Sequence, residues 1–177
     1  MKIYVIRHGE TDVSLENKIN SLNEDDLNKT GIMQAQEVGK KLENIDYDFI
    51  ISSPLKRAIH TAEIINVHNK EIILDDRIVE RDAGVFTKQS LDNIDSNDWW
   101  NAYPKQDYKD AEKVSHVIFR INNFIEDIKK KYADKKILIV THGGVSKIIH
   151  AYFYGIPEDG VLEKYKCDNC EVKTYTI

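Results

Sequence analysis

The chain has only two cysteines, no excess of positive charge and no apolar run of membrane-spanning length, and each shortage excludes something. Cys167-Asp168-Asn169-Cys170 is the sole pair. A zinc site needs four ligands, and neither a second pair nor a nearby histidine supplies the remainder. The residues around the pair follow the pattern of a late strand rather than the helix start of a redox motif, so both cysteines read as small, partly buried side chains. A formal net charge of −5 gives no general attraction to nucleic acid or to an anionic membrane, so any anion must be held by a local cluster of cations. The carboxylates are scattered without metal-ligand spacing. The first residues lack the basic start, apolar stretch and cleavage site of a signal peptide, and a cytoplasmic protein is expected. What remains is 177 residues, 41% hydrophobic and 31% charged, which suits one globular domain over residues 1–177.

Against this background one stretch organises the rest. Ile3-Tyr4-Val5-Ile6-Arg7-His8-Gly9-Glu10-Thr11 reads as a short apolar strand that runs into a polar turn, delivering Arg7 and His8 where the strand stops. The arrangement recurs at Ile137-Leu138-Ile139-Val140, an apolar run of the kind buried on both faces of a parallel sheet, which ends in Thr141-His142-Gly143-Gly144. Ligands of open parallel sheets bind beyond the carboxyl ends of the strands, so His8 and His142 are placed for chemistry.

Taken in order, residues 10–29 are polar and aperiodic and suit a long loop over the strand ends. Thr30 can cap a helix with Ile32, Ala35, Val38, Leu42 and Ile45 on one face. Asp48–Ser52 reads as a strand, and Ser53-Pro54 as a helix start with a capping hydroxyl and proline at the first helical position. Lys56 and Arg57 then fall in the first turn, where cations are usually disfavoured and an anion is welcome. Glu71–Asp75 is a third strand. Residues 86–113 form an irregular insertion whose aromatic content favours a packed cap, with Trp99 and Trp100 either its apolar core or a stacking surface for a base or sugar. A long amphipathic helix over Ala111–Tyr132, the strand into His142, a helix from about Val145 to Tyr154 and a last strand over Cys170–Ile177 complete the chain. Strands alternating with helices indicate a three-layer α/β/α sandwich with a mostly parallel central sheet. His60, His68, His116 and His150 lie outside these motifs and read as structural.

The ordered blocks Arg7-His8-Gly9-Glu10-Thr11, Leu27-Asn28-Lys29-Thr30-Gly31 with Gln34-Ala35, Ser52-Ser53-Pro54-Leu55-Lys56-Arg57-Ala58 with Thr61-Ala62, Glu80 with Gly84, and Thr141-His142-Gly143-Gly144 closely resemble the histidine phosphatase superfamily, the phosphoglycerate mutase-like proteins. The resemblance covers nearly the whole chain. It implies His8 as the nucleophile that becomes a phosphohistidine, and Arg7, Arg57 and His142 as the clamp on the phosphoryl oxygens. Gly143 belongs to the phosphate site, and Glu80 is the proton donor to the leaving group. It implies no metal and no cofactor, because the cations of the clamp supply the charge that magnesium supplies elsewhere. Ser14 stands where the family often has a phosphate-binding asparagine, and its hydroxyl is expected to donate to the phosphate with a shorter reach. Ile19-Asn20 and Phe86-Thr87-Lys88 also depart from the family pattern, and all lie around the expected pocket mouth.

A phosphomonoesterase acting on a small phosphorylated metabolite is therefore expected, with a sugar phosphate, a nucleotide or α-ribazole phosphate as candidates. A mutase would need extra cations in its cap, whereas Asp92, Asp95, Asp98, Asp107, Asp110 and Glu112 outnumber Lys88, Lys105, Lys109 and Lys113 there. Mutase-type phosphoryl transfer is the alternative, and a non-catalytic phosphate- or protein-binding module is a further one. The partners expected are the small metabolite and, at most, a second copy in a homodimer, with no nucleic acid and no membrane.

Overall fold

The computed structural model describes residues 1–177. In chain order its elements are β1 (Lys2–Arg7), α1 (Asp12–Leu15), α2 (Lys29–Leu42), β2 (Phe49–Ser52), α3 (Lys56–Ile65), β3 (Ile72–Leu74), α4 (Ser96–Trp99), α5 (Val114–Lys131), β4 (Lys136–Thr141), α6 (Gly143–Tyr154) and β5 (Val172–Thr176). They build a five-stranded sheet in the order β3-β2-β4-β1-β5. Every pairing is parallel except that of β5, which runs antiparallel along β1. No helix is long and apolar enough to cross a membrane.

The apolar runs of β1 and β4 are continuous because both faces of these strands are covered. Ile3, Val5, Ile137 and Ile139 pack into one core layer with Val117, Ile121, Ile125 and Ile148 of α5 and α6. Tyr4, Ile6, Leu138 and Val140 alternate into the other layer, against Ala35, Val38, Ala58 and Ala62 of α2 and α3. The sandwich is thus the three-layer one expected from the sequence. Its register fixes the site: Arg7 lies opposite Thr141, so His8 and His142 leave the sheet at the same edge.

Several boundaries differ from the sequence reading, each for a local reason. The cap of α2 is Asn28, whose side chain accepts from Gly31 N–H, so the helix starts ahead of Thr30 and Thr30 lies inside it. The loop over residues 10–29 contains the short α1, held by a reciprocal pair between Thr11 and Ser14. Ser53 does not begin α3, which starts at Lys56 behind Leu55 and has no side-chain cap. The helix expected from Ala111 begins at Val114, and the one expected from about Val145 begins at Gly143. The cysteines precede β5 instead of lying in it; both are free and buried, and Cys170 takes a positive φ of 56°. Trp99 and Trp100 are buried in the larger core layer, Trp99 edge-on to Phe86 and Tyr108, so their bulk is chiefly that of a packed cap.

Candidate active site

Where β1 ends, His8 turns back into the protein and is only 2% exposed. Its Nδ1 lies 2.7 Å from the carbonyl oxygen of Gly9, a group that can only accept. Its Nε2 lies 3.2 Å from Arg57 Nε, a group that can only donate. Both partners therefore select one tautomer, with the proton on Nδ1 and the lone pair on Nε2. Burial, then Arg57 and then Arg7 hold the imidazole well below its usual 6.5, so it is neutral. Neutral and oriented, Nε2 has the form a nucleophile needs.

The turn that does this depends on close backbone approach. Gly9 N–H donates to Thr61 Oγ1 at 3.1 Å, and a Cβ on Gly9 would stand 2.5 Å from the carbonyl oxygen of Gly31. This explains why glycines occur in both the first and second sequence blocks.

Arg57 is wholly buried. Its Nη1 donates to the Asn23 carbonyl at 2.8 Å and its Nη2 to the Ser21 carbonyl at 2.7 Å. The guanidinium thus ties the 20–25 loop to His8, and burial pushes its pKa down to about 10 although Glu80 and Asp25 oppose the shift. Lys56 points away, to an exposed pairing with Asp26. Arg7 donates from Nη1 to the Cys167 carbonyl at 2.8 Å, while its Nε is buried with no partner. Asn169 Nδ2 donates to the His8 carbonyl at 2.9 Å, so the segment before β5 braces both residues.

His142 stands with its ring centroid 5.1 Å from that of His8. Its Nε2 lies 2.7 Å from Ser53 Oγ, and its Nδ1 is buried without a partner. Ser53, expected as a helix cap, instead serves this histidine. Burial first, then the nearby Arg57, keeps His142 well below its usual pKa. Glu80 accepts from its neighbour Arg81 N–H at 2.9 Å on one oxygen and from Gly144 N–H at 3.1 Å on the other. A catalytic proton would have to occupy a remaining lone pair.

These groups surround a cavity of about 540 Å³. Arg7, His8, Glu80, Gly143 and Ser14 line it, while Arg57 and His142 are fully buried next to His8 and are not part of the lining. Unpaired donor atoms on Arg7 and His142, a neutral nucleophile and a carboxyl group on one sheet edge can bind and turn over a tetrahedral oxyanion. Ser14 reaches this cavity, but its hydroxyl donates to the Thr11 carbonyl at 2.8 Å, so its proton is already engaged. Asn20 also lines the wall and donates to Thr11 Oγ1 at 2.9 Å.

Sequence reasoning missed Arg81, Lys147, Glu163 and Asn169. Arg81 stacks 4.0 Å above the Trp99 ring and donates to the Trp99 carbonyl at 2.5 Å, pinning the cap beside Glu80. Lys147 could have been found, since a lysine inside Val145-Ser146-Lys147-Ile148-Ile149 interrupts an apolar helix. Nothing local marks Glu163 or Asn169.

A sequence model of the histidine phosphatase superfamily, branch 1, matches residues 3–177. An uncharacterized phosphatase, PhoE, of Bacillus subtilis is 36% identical over 151 residues, covering 84% of this chain and 74% of its own. Phosphoserine phosphatase 1 of Hydrogenobacter thermophilus is 26% identical over 184 residues, covering all of this chain and 85% of its own. Among solved structures, the α-ribazole phosphatase of Shigella flexneri superposes with a TM-score of 0.85 at 24% identity, over all of this chain and 91% of its own, a likeness of fold.

Proposed function

The chain belongs to the histidine phosphatase superfamily, and from that premise we propose that it is a metal-independent phosphomonoesterase working through a phosphohistidine on His8. The observation that carries this reading is the buried, neutral imidazole of His8, whose two partners place its only ring lone pair on Nε2, where Arg57 Nε–H holds it until the phosphoryl group takes over that donor. In the first step Nε2 attacks phosphorus and the bond to the ester oxygen breaks. The departing alkoxide takes a proton from the Glu80 carboxyl group. Arg7, Arg57 and His142 stabilise the charge on the equatorial oxygens, which is the main task in a loose phosphoryl-transfer transition state. In the second step Glu80, now a carboxylate, takes a proton from water as the water attacks phosphorus. The N–P electron pair returns to His8 and inorganic phosphate leaves.

Phosphatases among the relatives support hydrolysis, and their names specify phosphoserine and α-ribazole phosphate as substrates of those proteins. For this chain the substrate class is a small phosphomonoester. Phosphate release from p-nitrophenyl phosphate should persist in chelator and vanish in His8→Ala. Rapid acid-free quenching with labelled substrate should trap an alkali-stable, acid-labile phosphoenzyme. Undiminished release by His8→Ala refutes the nucleophile, and loss of activity in chelator that metal restores refutes metal independence.

A further inference from the structure

We propose that Arg120 is a positioning residue for Glu80: from α5 it holds the stretch of backbone that carries the acid, with Glu112 fixing its guanidinium. This rests on the phosphomonoesterase reading, in which Glu80 protonates the leaving group, and it identifies what keeps that carboxyl group in place.

Glu80 needs such support because no strand carries it. It lies between β3 and the cap, in an irregular segment that follows a short 3-10 turn over Asp76–Ile78. Without a ladder partner the carbonyls of a buried segment have to be satisfied by other means. Here four successive ones are taken by side chains from other elements. Arg120 Nη1 donates to the Arg77 carbonyl at 2.5 Å and to that of Val79 at 2.8 Å, and Nη2 donates to the carbonyl of Glu80 itself at 3.3 Å. Thr141 Oγ1, at the end of β4, donates to the one between, Ile78, at 2.8 Å.

The remaining donors of the guanidinium go to one carboxylate. Nε donates to Glu112 Oε1 at 2.9 Å and Nη2 to Oε2 at 3.0 Å. A guanidinium has five N–H donors in a rigid fork, and these contacts use all of them. None is left for a ligand, and neither Arg120 nor Glu112 lines the cavity. Arg120 therefore acts through Glu80 and not on the substrate. Because the Glu112 carboxylate offsets its charge, what it transmits is chiefly geometry.

The anchor is itself stiff. Arg120 sits on an 18-residue helix between Val117 and Ile121, both wholly buried in the larger core layer. Glu112 leads into that helix and its backbone is paired to the same stretch: its N–H donates to the Asp82 carbonyl at 2.8 Å, and its carbonyl accepts from Arg81 Nε at 2.6 Å. Residues 77–82 are thus fastened one after another to α5, its lead-in and β4. A general acid needs such fastening, since a displacement of about 1 Å costs on the order of 10²-fold.

The test separates a leaving group that needs a proton from one that does not. Benzyl phosphate loses an alkoxide and depends on the acid, whereas p-nitrophenyl phosphate loses a stabilised phenolate and depends on it little. The quantity read is the ratio of kcat/KM for the two esters, which cancels effects common to both. Glu80→Gln sets the scale by lowering the benzyl to p-nitrophenyl ratio roughly tenfold or more. Arg120→Met should also lower it about tenfold or more, and Arg120→Lys, which keeps a donor for part of the segment, should fall between that variant and wild type. Added to Glu80→Gln, Arg120→Met should change the ratio by less than about twofold, because its effect runs through the residue already removed. An unchanged ratio in Arg120→Met, or a full further drop in the Glu80→Gln background, overturns the positioning role. Arg120→Met leaves three carbonyls without their donor; should it fail to fold, Glu112→Gln, which loosens the fork but keeps an acceptor, must lower the ratio or the role falls. Wild type that does not hydrolyse p-nitrophenyl phosphate refutes the phosphatase reading, and Glu80→Gln with an unchanged ratio refutes the acid; either takes the positioning role with it. A lowered ratio in Glu80→Gln beside an unchanged one in Arg120→Met refutes the positioning role alone.

Discussion

Replacing Ser53 by alanine isolates one proton. The Ser53 hydroxyl is the sole hydrogen-bond partner of the His142 ring, at 2.7 Å from Nε2, and Nδ1 is buried with none. His142 is held neutral by burial and by Arg57, so it carries a single N–H. We assign the Ser53 hydroxyl as the donor to Nε2, which puts that proton on Nδ1, free for a phosphoryl oxygen. Ser53→Ala leaves a buried nitrogen unsatisfied, a loss of about 1–3 kcal/mol in stability. At this chain length each kcal/mol lowers Tm by about 2–4 °C. The kinetic loss is separate: withdrawing one preorganised donor from the transition state costs on the order of 10²–10³ in kcat. Nitrogen-detected NMR of the labelled imidazole reads the tautomer directly, and Ser53→Thr should restore both tautomer and rate. An alanine variant that keeps kcat within about twofold, or keeps Nδ1 as the sole protonated nitrogen at reduced kcat, refutes the assignment.

His8 and His142 both have folded-state pKa values depressed below 6.5. Below pH 6.5 the unfolded chain therefore binds more protons than the folded one, and stability falls on acidification by up to about 1.4 kcal/mol per pH unit for each histidine. Chemical denaturation at pH 7.5 and 5.5 should show this, and His142→Gln should flatten the dependence; a pH-independent midpoint contradicts the buried neutral state. Arg57→Lys keeps the charge but cannot span His8, Ser21 and Asn23 together, so kcat/KM should fall on the order of 10²-fold and the buried carbonyl left unpaired should lower Tm as well. In Gly144→Ala the new methyl would stand 2.5 Å from Glu80 Oε1 and against the Trp100 ring. Overpacking of about 1–3 kcal/mol and displacement of the acid should result, seen as a lower Tm and a kcat deficit that shrinks for substrates with good leaving groups.

The apolar runs of β1 and β4 were legible because burial on both faces leaves no alternative pattern, and with them the shared edge that holds His8 and His142. The helices on either side were legible from their apolar stripes. Caps were less so. Thr30 was the expected cap of α2, and Asn28 has the role instead because its side chain reaches Gly31 N–H. Ser53-Pro54 carries a helix-start signal, yet its hydroxyl is taken by a histidine 89 positions later in the chain, a competition that no local window contains. The burial of Arg57 was not legible because its acceptors are backbone carbonyls, and carbonyls have no sequence signature. Lys147 left a trace as a charge inside an apolar helix, but its partner Glu163 lies in a short turn after that helix.

The bracing of Arg7 and His8 by Cys167 and Asn169 has a consequence for the order of assembly. Arg7 and His8 are made first, but their supports are 160 and 161 residues away in sequence. On one side β1 pairs with β4 and on the other with β5, both from the last third of the chain. A growing polypeptide therefore carries His8 long before it has a sheet to set it in. Contacts of such long range close late and slowly. The His8 imidazole is thus positioned only when folding is nearly complete, and a chain stopped before residue 167 would hold Arg7, His8, Arg57, Glu80 and His142 without the supports that Cys167 and Asn169 give.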